Sequence, residues 1–478
     1  MSANWPLVRL GDYCLKVGSG ATPKGGKSVY LDAGQIALIR SQNVYNDTFK
    51  PDGLAYITVD AANKLKNVEV QSGDILLNIT GDSVARLCLA PDEYLPARVN
   101  QHVAIIRPDP NEFDSRFLRY FLVSPEQQEL LLVIASAGAT RNALTKSHIE
   151  SLEVCKPELA IQIWIANQLE SLDKKIQLNH QINQTLEQMA QALFKSWFVD
   201  FEPVKAKMAV LEAGGSQEDA TVAAMTAISG KNTDALAVFE REQPAQYAEL
   251  KATAELFPSA MQESELGEIP EGWHVSDLSK LAILNAESWS KKNAPESVSY
   301  VDLANAKWGI INSIETYQFS DAPSRARRIL KLHDTIVGTV RPGNGSYSYI
   351  YKNGLTGSTG FAVLTPKSKI FSEYIYLCVT SIENIERLTH LADGGAYPAV
   401  NADVVLSTQC VLPLGEKNLE SLLEMFSART EVFFSYRKNS LDQNEVLTSI
   451  RDTLLPKLLS GEITLPEAEQ AVSEAENV

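Results

Sequence analysis

Trp5-Pro6-Leu7-Val8-Arg9-Leu10-Gly11 is echoed by Trp273-His274-Val275-Ser276-Asp277-Leu278-Ser279. Working outward from these two stretches, the same signals follow twice and in the same order. Each copy has an apolar strand led by an aspartate, Asp74-Ile75-Leu76-Leu77 and Asp334-Thr335-Ile336-Val337, then a second strand ending near Pro108 or Pro366. A helix signal follows (Ser115 to Leu122; Ser372 to Val379), then a glycine loop, Gly138-Ala139-Thr140-Arg141 in one copy and Gly394-Gly395-Ala396-Tyr397 in the other. A short run closed by Pro157 or Pro413 leads into a long helical segment. With Gly138 set on Gly394, Leu144 meets Val400, Ile149 meets Val405 and Pro157 meets Pro413. The period is far too long for a solenoid. The duplication predicts two globular modules, each followed by a long helix, and a protein of two modules suggests a target in two parts. Short β-branched runs alternate with turn signals inside each module, which makes the fold class α+β.

The 478 residues allow about three units of ordinary domain size, and 45% hydrophobic content is normal for a globular chain. Five cysteines (Cys14, Cys88, Cys155, Cys378, Cys410) stand far apart with no CxxC, which argues against a disulfide framework or a zinc site. The N-terminus lacks a basic-then-apolar leader pattern, and the longest apolar run, near Leu130 to Ala135, is too short to span a bilayer. A cytoplasmic location is expected. The formal charge of −16 is unevenly spread: −1 over residues 1–157, −1 over 158–198, −7 over 199–265, −1 over 266–413 and −6 over 414–478. The modules are therefore close to neutral. Charge neither supports nor forbids a nucleic-acid partner.

From Ile165, apolar positions recur in alternating steps of four and three through Leu169, Leu172 and Ile176. They pass Asn179 and Asn183 and resume at Leu186, Ala190, Leu193 and Trp197. That is a coiled-coil seam with a polar centre. Phe426, Phe433, Ser440, Asn444, Leu447, Leu454 and Leu458 fall in the matching register. Two such helices, each about 50 to 60 Å long, are expected to pair antiparallel, the polar layer fixing their register. Between Glu202 and Glu263 the composition turns to Ala, Glu, Gln and Ser with glycine interruptions, which reads as a linker or a small helical insertion. The acidic stretch after Gly461 reads as a frayed tail.

Catalytic motifs are mostly missing. Gly20 to Ser28 resembles a phosphate-binding loop only superficially, because Ala21 stands where that motif needs glycine and no helix signal follows. There is no Asn-Pro-Pro-aromatic run, no glycine-rich AdoMet motif and no HExxH, so the chain is not expected to be an enzyme. Binding signals are better. Arg325, Arg327 and Arg328 precede the Asp334 strand, and Arg341, Asn344 and Tyr347 follow it. Corresponding loops of the first module carry Lys24, Lys27, Arg40, Gln42, Asn43, Arg86, Arg98, Asn100, Thr140 and Arg141, and Tyr397 closes the second glycine loop. Arginine, asparagine and glutamine read base edges, while lysine and tyrosine hold phosphates. Loops of this composition are also ordinary solvated surface, and Asn100-Gln101-His102 reads equally well as a structural turn.

Three further stretches make the chain recognisable: Leu193-Phe-Lys-Ser-Trp-Phe-Val-Asp-Phe201, Ser264-Glu-Leu-Gly-Glu-Ile-Pro-Glu-Gly-Trp273 and Arg451-Asp-Thr-Leu-Leu-Pro-Lys-Leu-Leu-Ser-Gly-Glu-Ile463. With the duplicated layout they resemble the DNA-specificity subunits of type I restriction-modification systems. The resemblance implies two α/β target-recognition domains separated by two long antiparallel coiled-coil helices in a pseudo-twofold repeat. It places the first domain at 1–157, its helix at 158–198, a linker or insertion at 199–263, the second domain at 264–413, its helix at 414–460 and a tail at 461–478. It implies that each domain reads one half of an asymmetric bipartite sequence in double-stranded DNA, with the helices as a ruler for the spacer. It also implies two methyltransferase and two restriction subunits as partners, with AdoMet, ATP and Mg bound on those partners and none here. Phe194, Trp197, Phe198, Leu454 and Leu458 then become candidates for docking the methyltransferase, or simply for packing on a helix or module. A two-domain scaffold without DNA, or a specificity subunit of a fused type II-like enzyme, are the alternatives.

Overall fold

A computed structural model describes residues 5–46, 48–137, 142–290, 292–392 and 398–463. The chain forms two compact units, the first containing residues up to Asn179 and from Gln443 onward, the second His180–Asp442.

In the first unit Ile75–Asn78 is buried along its whole length, as expected of a strand covered on both faces. Ile75 and Leu77 face one apolar cluster with Phe117, Leu118 and Leu122, whereas Leu76 faces another with Val99 and Ile105. One sheet, ordered Cys14–Ser19, Val103–Pro108, Ile75–Asn78, Leu87–Leu89, is thus held between helices and a second sheet. That second sheet is ordered Ala55–Ile57, Ile36–Ile39, Ala97–Val99, Glu69–Val70, with Ala97–Val99 parallel to Ile36–Ile39. Leu7–Arg9 pairs with Glu153–Cys155 and ties the start of the module to its end.

The second unit repeats this strand for strand. Its sheets run Ala282–Leu284, Phe361–Pro366, Thr335–Gly338, Tyr347–Tyr349 and Glu315–Gln318, Ser297–Val301, Leu355–Ser358, Ala326–Leu330. Ser297–Val301 is again the strand with a parallel neighbour, and Trp273–Asp277 pairs with Gln409–Pro413. The match extends to single hydrogen bonds. Leu144 N–H donates to the Ile79 carbonyl at 2.9 Å, and Val400, its sequence counterpart, donates to Thr339 at 2.9 Å.

In each module the helix that the sequence pattern suggests before the glycine loop is followed by a second. Ser115–Val123 is followed by Pro125–Ser136, and Ser372–Thr380 by Ile382–Ala392. The Asp114 carboxylate caps the first of these, accepting from Arg116 N–H at 2.8 Å.

The long helices are Leu159–Phe198 and Glu416–Leu459. In the first unit Asn179 donates to Asn444 at 2.8 Å and Arg451 meets Asp173 at 3.1 Å. In the second, Glu187 pairs with Arg437, and the Trp197 and Phe426 rings lie 5.5 Å apart. Numbers rise along one helix as they fall along the other, so the pairing in each unit is antiparallel. The polar layer is incomplete, however: Asn183 is buried, and neither amide atom has a partner among the described residues.

Of the two readings of residues 199–263, the helical insertion is the one observed. Glu202–Glu212, Gln217–Ser229, Thr233–Glu242 and Pro244–Glu255 are helices, and Val204, Met225, Ile228, Leu236 and Leu250 join the second unit's core. Buried Lys207 donates to the Phe257 carbonyl at 2.6 Å, tying the first of these helices to the segment after the last.

Candidate nucleic-acid interface

The loop candidates divide by burial. In the first unit Asn43 is fully buried: its oxygen accepts from Arg40 N–H at 3.1 Å and its amide donates to Lys50 O and Asp52 O. It holds a loop closed and is not available to a base. Arg98 lies inside the strand Ala97–Val99, 5% exposed, donating to the Ala62 and Ala97 carbonyls and meeting Glu69 at 3.3 Å. Asn100 is buried and accepts from His102 N–H at 3.1 Å, the geometry of an Asx turn, so the structural alternative is the one observed. Polar residues between two strands resemble a loop in sequence, but here their polar groups are engaged by neighbouring backbone.

Lys24, Lys27 and Gln42 remain exposed in the first unit. Arg40 is half-buried, bonded to the Gly53 carbonyl and set over the Tyr30 ring at 5.5 Å. With Lys27, Tyr56 and Tyr94 it lines an open cleft of about 700 Å³. Arg86 lies over Tyr45 at 4.9 Å, and Lys50, which sequence reading passed over, lies over the same ring at 4.4 Å. A hairpin therefore carries two cations on one aromatic ring.

In the second unit Arg325, Arg341 and Asn344 are exposed. Arg327 is half-buried over Phe319 at 4.7 Å, and Arg328 donates to Ser288 at 3.2 Å, burial pulling its guanidinium below the ordinary range. Tyr347 is 8% exposed and packs edge-on against Tyr376, so it supports the loop from beneath and cannot reach a ligand. Two residues missed in the sequence stand beside Arg341 and Asn344. Lys307 donates to Ser346 at 2.7 Å, and the Trp308 backbone donates to Gly345 at 2.7 Å. Burial lowers the Lys307 ammonium somewhat from its usual range. Thr140, Arg141 and Tyr397 lie outside the described residues.

The docking candidates are core residues. Phe194, Trp197 and Phe198 are at most 4% exposed and pack with Tyr374, Phe257 and Phe426, and Leu458 is buried in the first unit with Leu454 against the same core. Their burial favours the packing alternative.

A family model described as type I restriction modification DNA specificity domain matches residues 2–188. The HindI type I restriction enzyme specificity subunit of Haemophilus influenzae is 31% identical over 442 residues, covering 90% of this chain and 94% of that protein. The chain belongs to the type I restriction enzyme specificity subunits. The MjaIX specificity subunit of Methanocaldococcus jannaschii is 24% identical over 97% of this chain and 94% of its own length. Among solved structures, the type I S subunit of M. genitalium covers 95% of this chain and 96% of its own, at 14% identity and a TM-score of 0.46. The HsdS subunit of Thermoanaerobacter tengcongensis covers 96% and 97% at 13% identity and a TM-score of 0.32.

As a specificity subunit the chain is the DNA-recognising member of a complex with modification and restriction subunits. Among the described residues no cluster of three or more His, Cys, Asp or Glu is placed to hold a metal, and no helix is long and apolar enough to cross a membrane. The two classes of arginine should separate cleanly in this specificity subunit. Arg98→Ala removes the buried guanidinium's bonds to the Ala62 and Ala97 carbonyls and its pairing with Glu69, and should cost about 1–3 kcal/mol of stability. Arg341→Ala should change unfolding by less than about 0.5 kcal/mol and weaken DNA binding by about 1–3 kcal/mol. Thermal unfolding and DNA titration of both variants check this, and an Arg341→Ala variant with unchanged DNA affinity would return Arg341 to plain surface.

Proposed function

We propose that the two units read the two halves of an asymmetric bipartite DNA sequence, one half each. The observation that carries this reading is the strand-for-strand duplication of the framework combined with divergent loops: Arg86, Lys50 and Tyr45 in one copy, Lys307, Trp308, Arg341 and Asn344 in the other. A module of this size contacts only a few base pairs, too little discrimination for a genome, and joining two such modules multiplies it. Because the copies differ, their half-sites differ and the target is not a palindrome. The paired long helices set the unspecified spacer between the half-sites.

The chain itself carries no catalysis on this reading. Two methyltransferase subunits with AdoMet and two restriction subunits with ATP and Mg supply it, and the assembly works in the cytoplasm. With Phe194, Trp197 and Phe198 taken up by the core, the outward apolar residues of the helices, such as Ile182, Met189, Val432 and Tyr436 in the second unit, become the methyltransferase contact.

Replacing residues 265–413 with the equivalent segment of a relative tests the central statement. Methylome sequencing of a strain expressing the chimera should show one half of the methylated motif changed and the other intact. A motif changed in both halves, or in neither, would sink the division of labour.

A further inference from the structure

A two-residue hairpin turn of type I′ needs positive φ at both central residues, and asparagine, aspartate and glycine adopt it most readily. Ala306–Lys307 pairs with Ile310–Ile311, so the turn between them is Trp308-Gly309, with φ of 49° and 81°. Gly309 suits the position doubly, because a Cβ there would stand 2.7 Å from the Tyr376 hydroxyl and 2.9 Å from the Arg437 guanidinium. Trp308 does not suit it. A bulky residue in left-handed backbone is strained, and such strain persists where the surroundings impose it, typically at functional positions.

The surroundings do impose it. Trp308 N–H donates to Gly345 O at 2.7 Å and Gly309 N–H to Tyr347 O at 3.0 Å. The indole lies against Gly345, its ring atoms 2.5 Å from where a Cβ would be, and meets the Tyr347 ring edge-on at 5.9 Å. Although held on one side, Trp308 is 59% exposed. A tryptophan kept for core packing would be buried, and a residue kept for turn formation would be asparagine or glycine. Neither role accounts for a rigidly mounted, open indole beside Lys307, Arg341 and Asn344. In the first unit Val44–Tyr45 pairs with Thr48–Phe49, and the sequence between those strands reads Asn-Asp, residue types that turn chemistry favours. The two copies thus diverge at a hairpin tip, where units reading different half-sites must diverge.

We propose that Trp308 is a specificity-determining residue of the second unit, its open indole face packing on a base of the second half-site while Lys307 and Arg341 hold neighbouring phosphates. This rests on the DNA-reading function proposed above. Stacking on a base face is by itself sequence-tolerant, so the selectivity of a fixed indole comes from its apolar contact with a base edge, above all the thymine methyl group.

The test uses the full complex with its modification subunits, carrying the parent chain, Trp308→Gly or Trp308→Phe. Glycine keeps the left-handed turn, so that variant has no backbone reason to misfold. Each is titrated at fixed salt against DNA with the methylated motif and against a set in which every motif position is changed singly. Trp308→Gly should lose roughly 10- to 100-fold in affinity for the intact motif. It should also become indifferent to one or two adjacent positions of the second half-site and keep its discrimination in the first. Trp308→Phe should retain part of the preference, and the salt slope should not move, since no charge is removed. Unchanged affinity and preferences in Trp308→Gly would overturn the proposal, as would an equal loss at every position of both half-sites, the mark of a merely loosened turn. If the parent complex prefers no motif, the DNA-reading function falls too. If exchanging residues 265–413 alters one half-site while Trp308→Gly alters nothing, only the role of Trp308 falls.

Discussion

Replacing Arg437 with alanine is expected to cost the second unit about 3–5 kcal/mol, because it strands a buried carboxylate. Arg437 is 2% exposed and pairs with Glu187, which also accepts from the Tyr376 hydroxyl at 3.1 Å. Burial raises the Glu187 carboxyl above its ordinary range, and Arg437 is the charge that opposes this. Without the guanidinium, the folded state would bind a proton that the unfolded state releases at lower pH. The deficit should therefore be largest near neutrality and shrink as the pH is lowered through that window. The pair is itself imperfect: the Arg437 Nε and the Glu187 Oε1 have no hydrogen-bond partner among the described residues. A Glu187→Met, Arg437→Met double variant should consequently regain most of the loss, since apolar packing of similar volume is commonly as stable as a buried ion pair. Urea unfolding at several pH values measures all three chains. A double variant as unstable as the single one would mean that the guanidinium matters by its shape and its packing against Tyr376 and Phe434, and not as the partner of Glu187.

That cluster also shows what the sequence could and could not disclose. The seam through Ile165, Leu169, Ala190 and Trp197 was visible as steps of four and three, because helical geometry alone puts those residues on one face. The duplication was visible because Leu144 and Val400 perform the same backbone task and kept their spacing to the elements around them. Glu187 and Arg437 were not legible as a pair. They are 250 residues apart in number and meet only because the helices are antiparallel in a particular register. Arg98 and Asn43 were misjudged for the opposite reason: their polarity suggested solvent, while neighbouring backbone carbonyls had the prior claim on them. Trp308 left a faint trace, an aromatic-glycine pair between two short apolar runs. Reading it as a hairpin tip would have required accepting a residue that turn chemistry disfavours, and sites often lie where such local rules are broken.

The two aspartates that lead the matching strands should respond to the same substitution in different ways. Asp74 is buried and gripped by Arg107 through two bonds, Nε to Oδ1 at 2.6 Å and a terminal nitrogen to Oδ2 at 2.8 Å, and it accepts from Gln71 N–H at 2.8 Å. The strand register puts Thr365 at the place of Arg107 in the second copy, so no guanidinium stands over Asp334. Asp334 keeps the turn bond from Lys331 N–H at 2.8 Å and has the uncharged Thr365 hydroxyl beside it in place of the arginine, and its Oδ1 has no hydrogen-bond partner among the described residues. Burial accordingly pushes its carboxyl up to about 6. A carboxyl whose folded pKa is raised contributes stability at pH values below its unfolded range, and that contribution is lost as the pH rises through the folded value. For Asp334 the window runs from about 4 to about 6, and the amount is about 2–3 kcal/mol. Asp334→Asn keeps an oxygen for the Lys331 bond and removes the charge. At pH 8 it should unfold within about 1 kcal/mol of the parent, with the pH 4–6 slope flattened. Asp74→Asn breaks a charged bidentate pair and leaves Arg107 facing a neutral amide, so at pH 8 it should cost about 3 kcal/mol. Chemical unfolding of both variants across pH 4–8 decides the matter. Equal losses at pH 8 would mean that the aspartates serve one shared backbone role, and that the arginine in the first copy adds nothing to it.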